Sequence, residues 1–279
     1  MLQGAMLVWF LLTLLSLLFV MYDTMTNTPV SWVQKLAWIL VTAYTGAFGL
    51  FMYLLTCRSP FEGGHDHFTK PLWKQGVNSE MHCLAGDATG IIIGAILFPF
   101  FHLANGYDII VEYISGFICG LFIFQSLMMM SVYNHSYLKA LQKTFFAETV
   151  SMNLVMTGMV PFMVILEEVW PTAASPFAWE FWFRMSLATL AGGIVAFPIN
   201  WFLVAKGEKH GCMTVPGDHV SVSEHKASHK TMMHAAHTKS PFTLTQKLFW
   251  IFLTYGILIA VTYLTHVFFR IHFHAYIKF

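Results

Sequence analysis

The chain predicts an all-α, polytopic transmembrane helix bundle of about seven spans with glycine-mediated helix packing, on three observations. Apolar residues make up 57% of its 279 residues and charged residues only 10%, against about a quarter charged in a soluble domain. The apolar residues fall in long blocks, not in alternation, which is the pattern of membrane-crossing helices. Glycines recur at four-residue spacing, at Gly86, Gly90 and Gly94, and such a stripe lets a neighbouring helix approach closely.

The elements follow in order. The first span, about residues 5–22, starts almost at Met1 without a basic leader, so it reads as a retained helix and not a cleaved signal. Asn27, Thr28 and Pro29 form a turn before a second span at 33–56, and residues 1–56 make a two-helix N-terminal segment. A polar loop at 57–78 holds Pro60, paired glycines, His65 and His67. The third span covers 79–101. Asn105 and Gly106 lead to the fourth, 109–133. The fifth, 138–169, is long enough to tilt, and Pro161 removes one of its hydrogen bonds. The sixth covers 177–205, which makes 79–205 a four-helix membrane core. Residues 206–245 form a His-rich segment without aromatics between Phe202 and Phe242, predicted to be flexible. Residues 246–279 hold a seventh span, 247–269, and a short tail.

Lysine and arginine counts set the orientation of such a bundle. Seven spans place eleven on one side and four (Lys35, Arg184, Arg270, Lys278) on the other. The N-terminus and the His-rich segment are then cytoplasmic, and the C-terminus is outside.

The ionisable residues inside the spans carry the functional expectation. The third span opens with Glu80, His82, Cys83 and Asp87, and each such group at the bilayer centre costs roughly 2.5–3.5 kcal/mol even on a mild scale. Cys83 and Asp87 share a face beside the glycine stripe, so these donors point into the bundle, while Glu80 reads as interfacial. In the fifth span Glu148, Met152, Met156, Met159 and Met163 trace one face. The fourth adds Gln125 and Met129, with Gly116 and Gly120 as a close-packing pair. The sixth ends with Pro198, Asn200 and a helix stop at Gly207, followed by His210, Cys212 and Met213. Imidazole, thiolate, thioether and carboxylate together are a transition-metal donor set. Plainer readings stand beside it: methionines as packing filler and Cys83 as a small apolar residue. His65, Asp66 and His67, the tail pair His272 and His274, and the histidines of 210–237 are weaker metal candidates.

Other classes are excluded or unsupported. The net charge of +1 gives no basis for nucleic-acid binding. Cys57, Cys83, Cys119 and Cys212 form no CxxC pair, so neither a redox dithiol nor a disulfide framework is expected. No phosphate-binding glycine loop, GxSxG, CxxCH or HExxH is present, and no nucleophile and base stand together, so the chain is not expected to be an enzyme.

The motif H-C-L-A-G-D-A in the third span and P-I-N-W-F-L-V-A-K-G-E-K-H-G-C-M after the sixth resemble an uncharacterised family of bacterial polytopic membrane proteins, a domain of unknown function, over roughly residues 73–213. Glu148, Ser151, Gly158 and Met159 match its pattern in the fifth span, whereas Thr157 stands where an acidic residue is usual. Cys212 interrupts a G-M pair. The resemblance implies the fold, the bacterial inner membrane and the candidate positions, and it carries no activity.

The leading expectation is therefore an inner-membrane protein that binds or transports a transition metal, copper preferred. Its ligands would be His82, Cys83, Asp87, Glu148, Met159, Met129, Asn200 and His210. Its partners would be the lipid bilayer, the metal ion and a second copy through the glycine-rich faces, with no nucleic acid. The alternatives are a proton-coupled small-solute transporter using Asp87 and Glu148, and an accessory or assembly subunit of a respiratory membrane complex.

Overall fold

The computed structural model describes residues 2–61, 64–101, 106–130, 133, 135–212 and 242–269. In chain order the helices are α1 (Leu2–Thr26), α2 (Trp32–Thr45), α3 (Ala47–Thr56), α4 (His65–Thr69), α5 (Leu72–Leu97) and α6 (Tyr107–Ile118). Then come a π-helix (Cys119–Gln125), α7 (Ser126–Met129), α8 (Tyr137–Val169), α9 (Trp179–Lys206) and α10 (Leu244–Phe269). Among the described residues six spans are long and apolar enough to cross a membrane: α1, α5, α6 through α7, α8, α9 and α10. The histidines expected as a metal-binding tract, beyond His210, lie outside the described residues.

The expected second span is instead a helical hairpin that enters the bundle and returns. At 1.5 Å per residue, α2 is about 21 Å long and α3 about 15 Å, and neither alone crosses a hydrocarbon core of about 30 Å. Both open ends lie at the C-terminal end of α1. Tyr53 of α3 donates to Asp23 (2.7 Å) and Arg58 clamps the same carboxylate (2.8 Å). Thr28, just before α2, bonds the Tyr53 hydroxyl (2.5 Å), and Trp38 packs edge-on against Tyr53. The tip is Gly46, against Thr13 in the middle of α1. Gly46 has φ +59° and ψ −134°, a conformation open essentially to glycine alone. Broken backbone at membrane depth survives where protein satisfies it, and here Ser186 of α9 donates to the Tyr44 carbonyl beside the break.

The hairpin changes the parity of the chain. The N-terminal end of α1 and the loop at 57–71 now lie at opposite ends of the bundle, so the reading that placed them on one side is corrected. The starts of α2, α5, α8 and α10 and the end of α9 share one end, and of the ten described Lys and Arg residues all but Arg184 lie there.

The core gathers around α5, α8 and α9. Gly158 and Gly192 bring α8 onto α9: a Cβ on Gly158 would lie 2.8 Å from Gly192 Cα. α1 and α10 are peripheral and expose leucines and phenylalanines along most of their length, as lipid-facing helices do. α10 is held to α8 by Asn153 donating to Thr254 (3.0 Å) and to α6 by the Tyr113–Tyr255 hydroxyl pair (2.8 Å).

Candidate functional site

The glycine stripe of α5 positions the site. Gly86 and Gly90 lie directly on α6 and the π-helix: an added Cβ would come within 2.7 Å of Gly120 Cα and 2.6 Å of Gly116 Cα. These faces are filled within the chain by α6 and the π-helix. The π-helix widens the backbone beside them, and Ser126 donates to the Leu121 carbonyl (2.7 Å) within it. Single π turns are frequent at functional sites. Here the widening places Gly120 where any Cβ would strike both Asp87 Oδ1 and Glu148 Oε1.

Asp87 and Glu148 meet at that point. Both are fully buried, and their carboxyls are within hydrogen-bonding reach of each other. Neither Asp87 oxygen nor Glu148 Oε1 receives a donor from a described residue. Cys83, one turn before Asp87, donates toward Glu148 Oε2 (3.4 Å), and Gln125 donates to Cys83 Sγ (2.8 Å). The two halves that the sequence places on separate spans therefore converge. Tyr113, Cys119, Glu80 and Lys209 also lie in electrostatic range of the pair.

A polar file extends from the pair toward the lysine-rich end. Asn200 of α9 donates to Glu80 Oε2 and to Ser151 Oγ (2.8 Å). Glu80 is 1% exposed, so the interfacial reading is corrected. Helix α5 begins at Leu72, and Glu80 lies about two turns inside it. Lys209 closes the file, donating to Cys83 Sγ (2.6 Å) and Asn200 Oδ1 (2.5 Å). Burial works against its charge, and the neighbouring Cys83, Glu148 and Glu80 outweigh that cost, holding its pKa above the ordinary lysine value.

Lys209 reaches inward because the chain reverses after α9. Gly207, at φ +77°, caps the helix in the left-handed conformation. Its N–H bonds the Val204 carbonyl (3.0 Å), and the Glu208 N–H bonds that of Leu203 (2.9 Å), the Schellman pattern. Glu208 then anchors this returning strap, residues 207–212, to the start of α10 through Lys247 (2.7 Å) and the Phe242 N–H (2.9 Å). This is the physical content of the K-G-E-K stretch.

Other expected ligands lie elsewhere. Met159 packs on Gly192 at the α8–α9 crossing, three turns from Glu148. Met129 belongs to the apolar core. His82 is 3% exposed with neither ring nitrogen bonded among the described residues, and it lies in electrostatic range of Lys209. His210 is half-buried on the strap. Toward the opposite end, buried Glu112 lies in electrostatic range of Arg184 and Glu167, which are ion-paired.

A second constellation sits at the lysine-rich end. Cys57 ends the hairpin, His65 opens α4, and Cys212 ends the strap. Their Sγ, ring nitrogen and Sγ atoms all lie within 4.8 Å of one another, and all three residues are buried. Burial alone would raise the Cys212 thiol, but hydrogen bonds from Cys57 and His65 outweigh it and bring its pKa down to about 6. Burial and donation to Cys212 push the Cys57 thiol up. Burial lowers His65, and its bond to Cys212 more than reverses this. The sequence signal for this group is weak. Its members are separated by 8 and 147 residues, and only the hairpin and the strap bring them together.

Residues 72–209 match a family described as Domain of unknown function (DUF4396). The match begins where α5 begins and ends on Lys209. It contains every residue of the carboxyl cluster and none of the Cys57, His65 and Cys212 group. No curated protein and no solved structure matches the chain.

Proposed function

For a multi-pass membrane protein that carries this domain, we propose proton-coupled transport of a small solute or ion, with Asp87 and Glu148 as the shared proton site. The observation that carries this reading is the meeting of two fully buried carboxyls, with three oxygens lacking a donor, across Gly120. Carboxyls in contact away from water repel when both are ionised. The pair is complete only with a cation between its oxygens, and a proton is the smallest. Intramembrane carboxylates that face a bundle interior are frequent proton carriers.

The surroundings support a path. Lys209 and Glu80 approach from the lysine-rich end, and Glu112 with Arg184 and Glu167 from the other. Lys209 balances one negative charge, and a proton on the pair balances another. The same geometry weakens the copper reading at this place. A lysine ammonium sits 2.6 Å from Cys83 Sγ, where a metal cation would have to bind, and Met159 and Met129 are engaged in other packing contacts.

The lysine-rich end is cytoplasmic in this proposal, by the excess of Lys and Arg near helix ends. Both the start of α1 and the end of α10 then face outward, with the membrane being the bacterial inner membrane.

The experiment is a solute screen in proteoliposomes with a pH-sensitive dye inside. A transported solute should move only with protons, and Asp87→Asn or Glu148→Gln should uncouple or abolish the flux. Solute flux that persists unchanged in both variants refutes the proposal.

A further inference from the structure

We propose that Cys57, His65 and Cys212 form a binding site for one Cu(I) ion on the lysine-rich end of the bundle. Two sulfurs and an imidazole nitrogen lie within 4.8 Å of one another, close enough to turn toward one ion. Cys212 Sγ already approaches His65 Nε2 at 3.9 Å, and the His65 ring also bonds the Cys57 backbone. A hydrogen bond of that kind fixes the orientation of a metal-binding imidazole. The thiols are free, and thiolate donors select Cu(I) and zinc among the divalent and soft first-row ions.

Donor number and burial together favour the first. A structural zinc site takes four protein ligands, and a catalytic one takes three, such as two cysteines and a histidine, and keeps a fourth position open to water. Among the described residues three donors gather and all are buried, which suits a three-coordinate Cu(I) ion without a bound water. The cytoplasmic face proposed for this end is also a reducing compartment, where two neighbouring thiols stay reduced.

The position suggests what the ion does. Cys57 terminates the hairpin, His65 belongs to the loop, and Cys212 terminates the strap that carries Lys209 into the bundle. The strap lies tightly on α5: a Cβ on Gly211 would meet the Gln75 backbone, and Gln75 Nε2 donates to the Cys212 carbonyl (3.5 Å). An ion shared by all three residues ties the strap to the hairpin three residues from Lys209. Metal occupancy would thus hold the lid of the carboxyl site, and this last step alone rests on the proposed transport function.

The test uses the full-length protein in detergent under reducing, oxygen-free conditions, titrated with Cu(I) and separately with Zn(II) against a chromophoric chelator. One Cu(I) per chain is expected. Cys212→Ser and His65→Gln should each weaken it by more than the roughly 10–100-fold typical of losing a group that merely orients a ligand. Both variants should elute as the wild type does, and if one does not fold the other carries the comparison. Asp87→Asn should leave Cu(I) affinity unchanged, which separates this site from the transport reading. Absence of Cu(I) binding, unchanged affinity in the folded variants, or a Cys57–Cys212 disulfide under these conditions would overturn the site. Zn(II) held as tightly as Cu(I) would overturn the choice of ion.

Discussion

Replacing Lys209 by methionine removes a buried cation whose field reaches Glu80 and Glu148 and keeps most of the side chain's bulk. Lys209 is 6% exposed, and its ammonium donates to Cys83 Sγ at 2.6 Å and Asn200 Oδ1 at 2.5 Å. Glu80 and Glu148 lie in its field. Removing one partner of a buried charge arrangement leaves the other uncompensated and costs about 3–5 kcal/mol. An exposed lysine on the same strap would cost about 0–1 kcal/mol, so the two outcomes are well separated. The assay is reversible denaturation in mixed micelles, comparing wild type, Lys209→Met, Glu148→Gln and the double variant. Lys209→Met should lose about 3–5 kcal/mol and the double variant should recover at least half of it. A loss below about 1 kcal/mol would show that Lys209 does not serve the cluster. A loss without recovery would show that the penalty is packing and not charge.

Further expectations follow from the same geometry. Gly120→Ala places a methyl against Asp87 and Glu148. It should cost about 1–3 kcal/mol, as overpacking does, and abolish proton-coupled flux. Gly46→Ala should destabilise by about 1–3 kcal/mol through its strained φ, and melting in detergent would read it; an unchanged melting point would remove the hairpin tip. The Cys212 thiol is held down at about 6 against an ordinary value of about 8.5. Its contribution is complete above about 8.5 and lost as pH falls through about 6. The raised His65 opposes part of this, since its contribution is lost as pH rises through its folded value. Metal-free wild type should therefore gain stability over Cys212→Ser between those limits, and a flat difference curve would refute the thiolate. Reporters at the N-terminus and in the 57–71 loop should label from opposite sides of the membrane; labelling from one side would restore a full second span.

Much of this was legible from residue spacing. The i, i+4 glycines of α5 locate the closest helix contact, and Cys83 and Asp87 lie beside it as their shared face requires. Glu148 is legible because a carboxylate within an apolar span requires a partner. Two features were not. The fold at Gly46 depends on a positive φ and on Ser186 from a distant helix, and nothing in an apolar stretch of 24 residues at 33–56 distinguishes a hairpin from a crossing. Lys209 reads as a basic flank of the helix end, and only the left-handed turn at Gly207 brings it back into the bundle. Met159 misleads for a related reason: helical spacing reports a shared face, and that face meets Gly192 and not the carboxyls.

The most direct test is an infrared difference spectrum of the full-length protein in lipid across a pH titration. A protonated-carboxyl C=O component, buried from solvent exchange, is expected, and it should disappear in both Asp87→Asn and Glu148→Gln because one proton is shared between them. A spectrum with no such band at any pH, or one left unchanged by both substitutions, would contradict it.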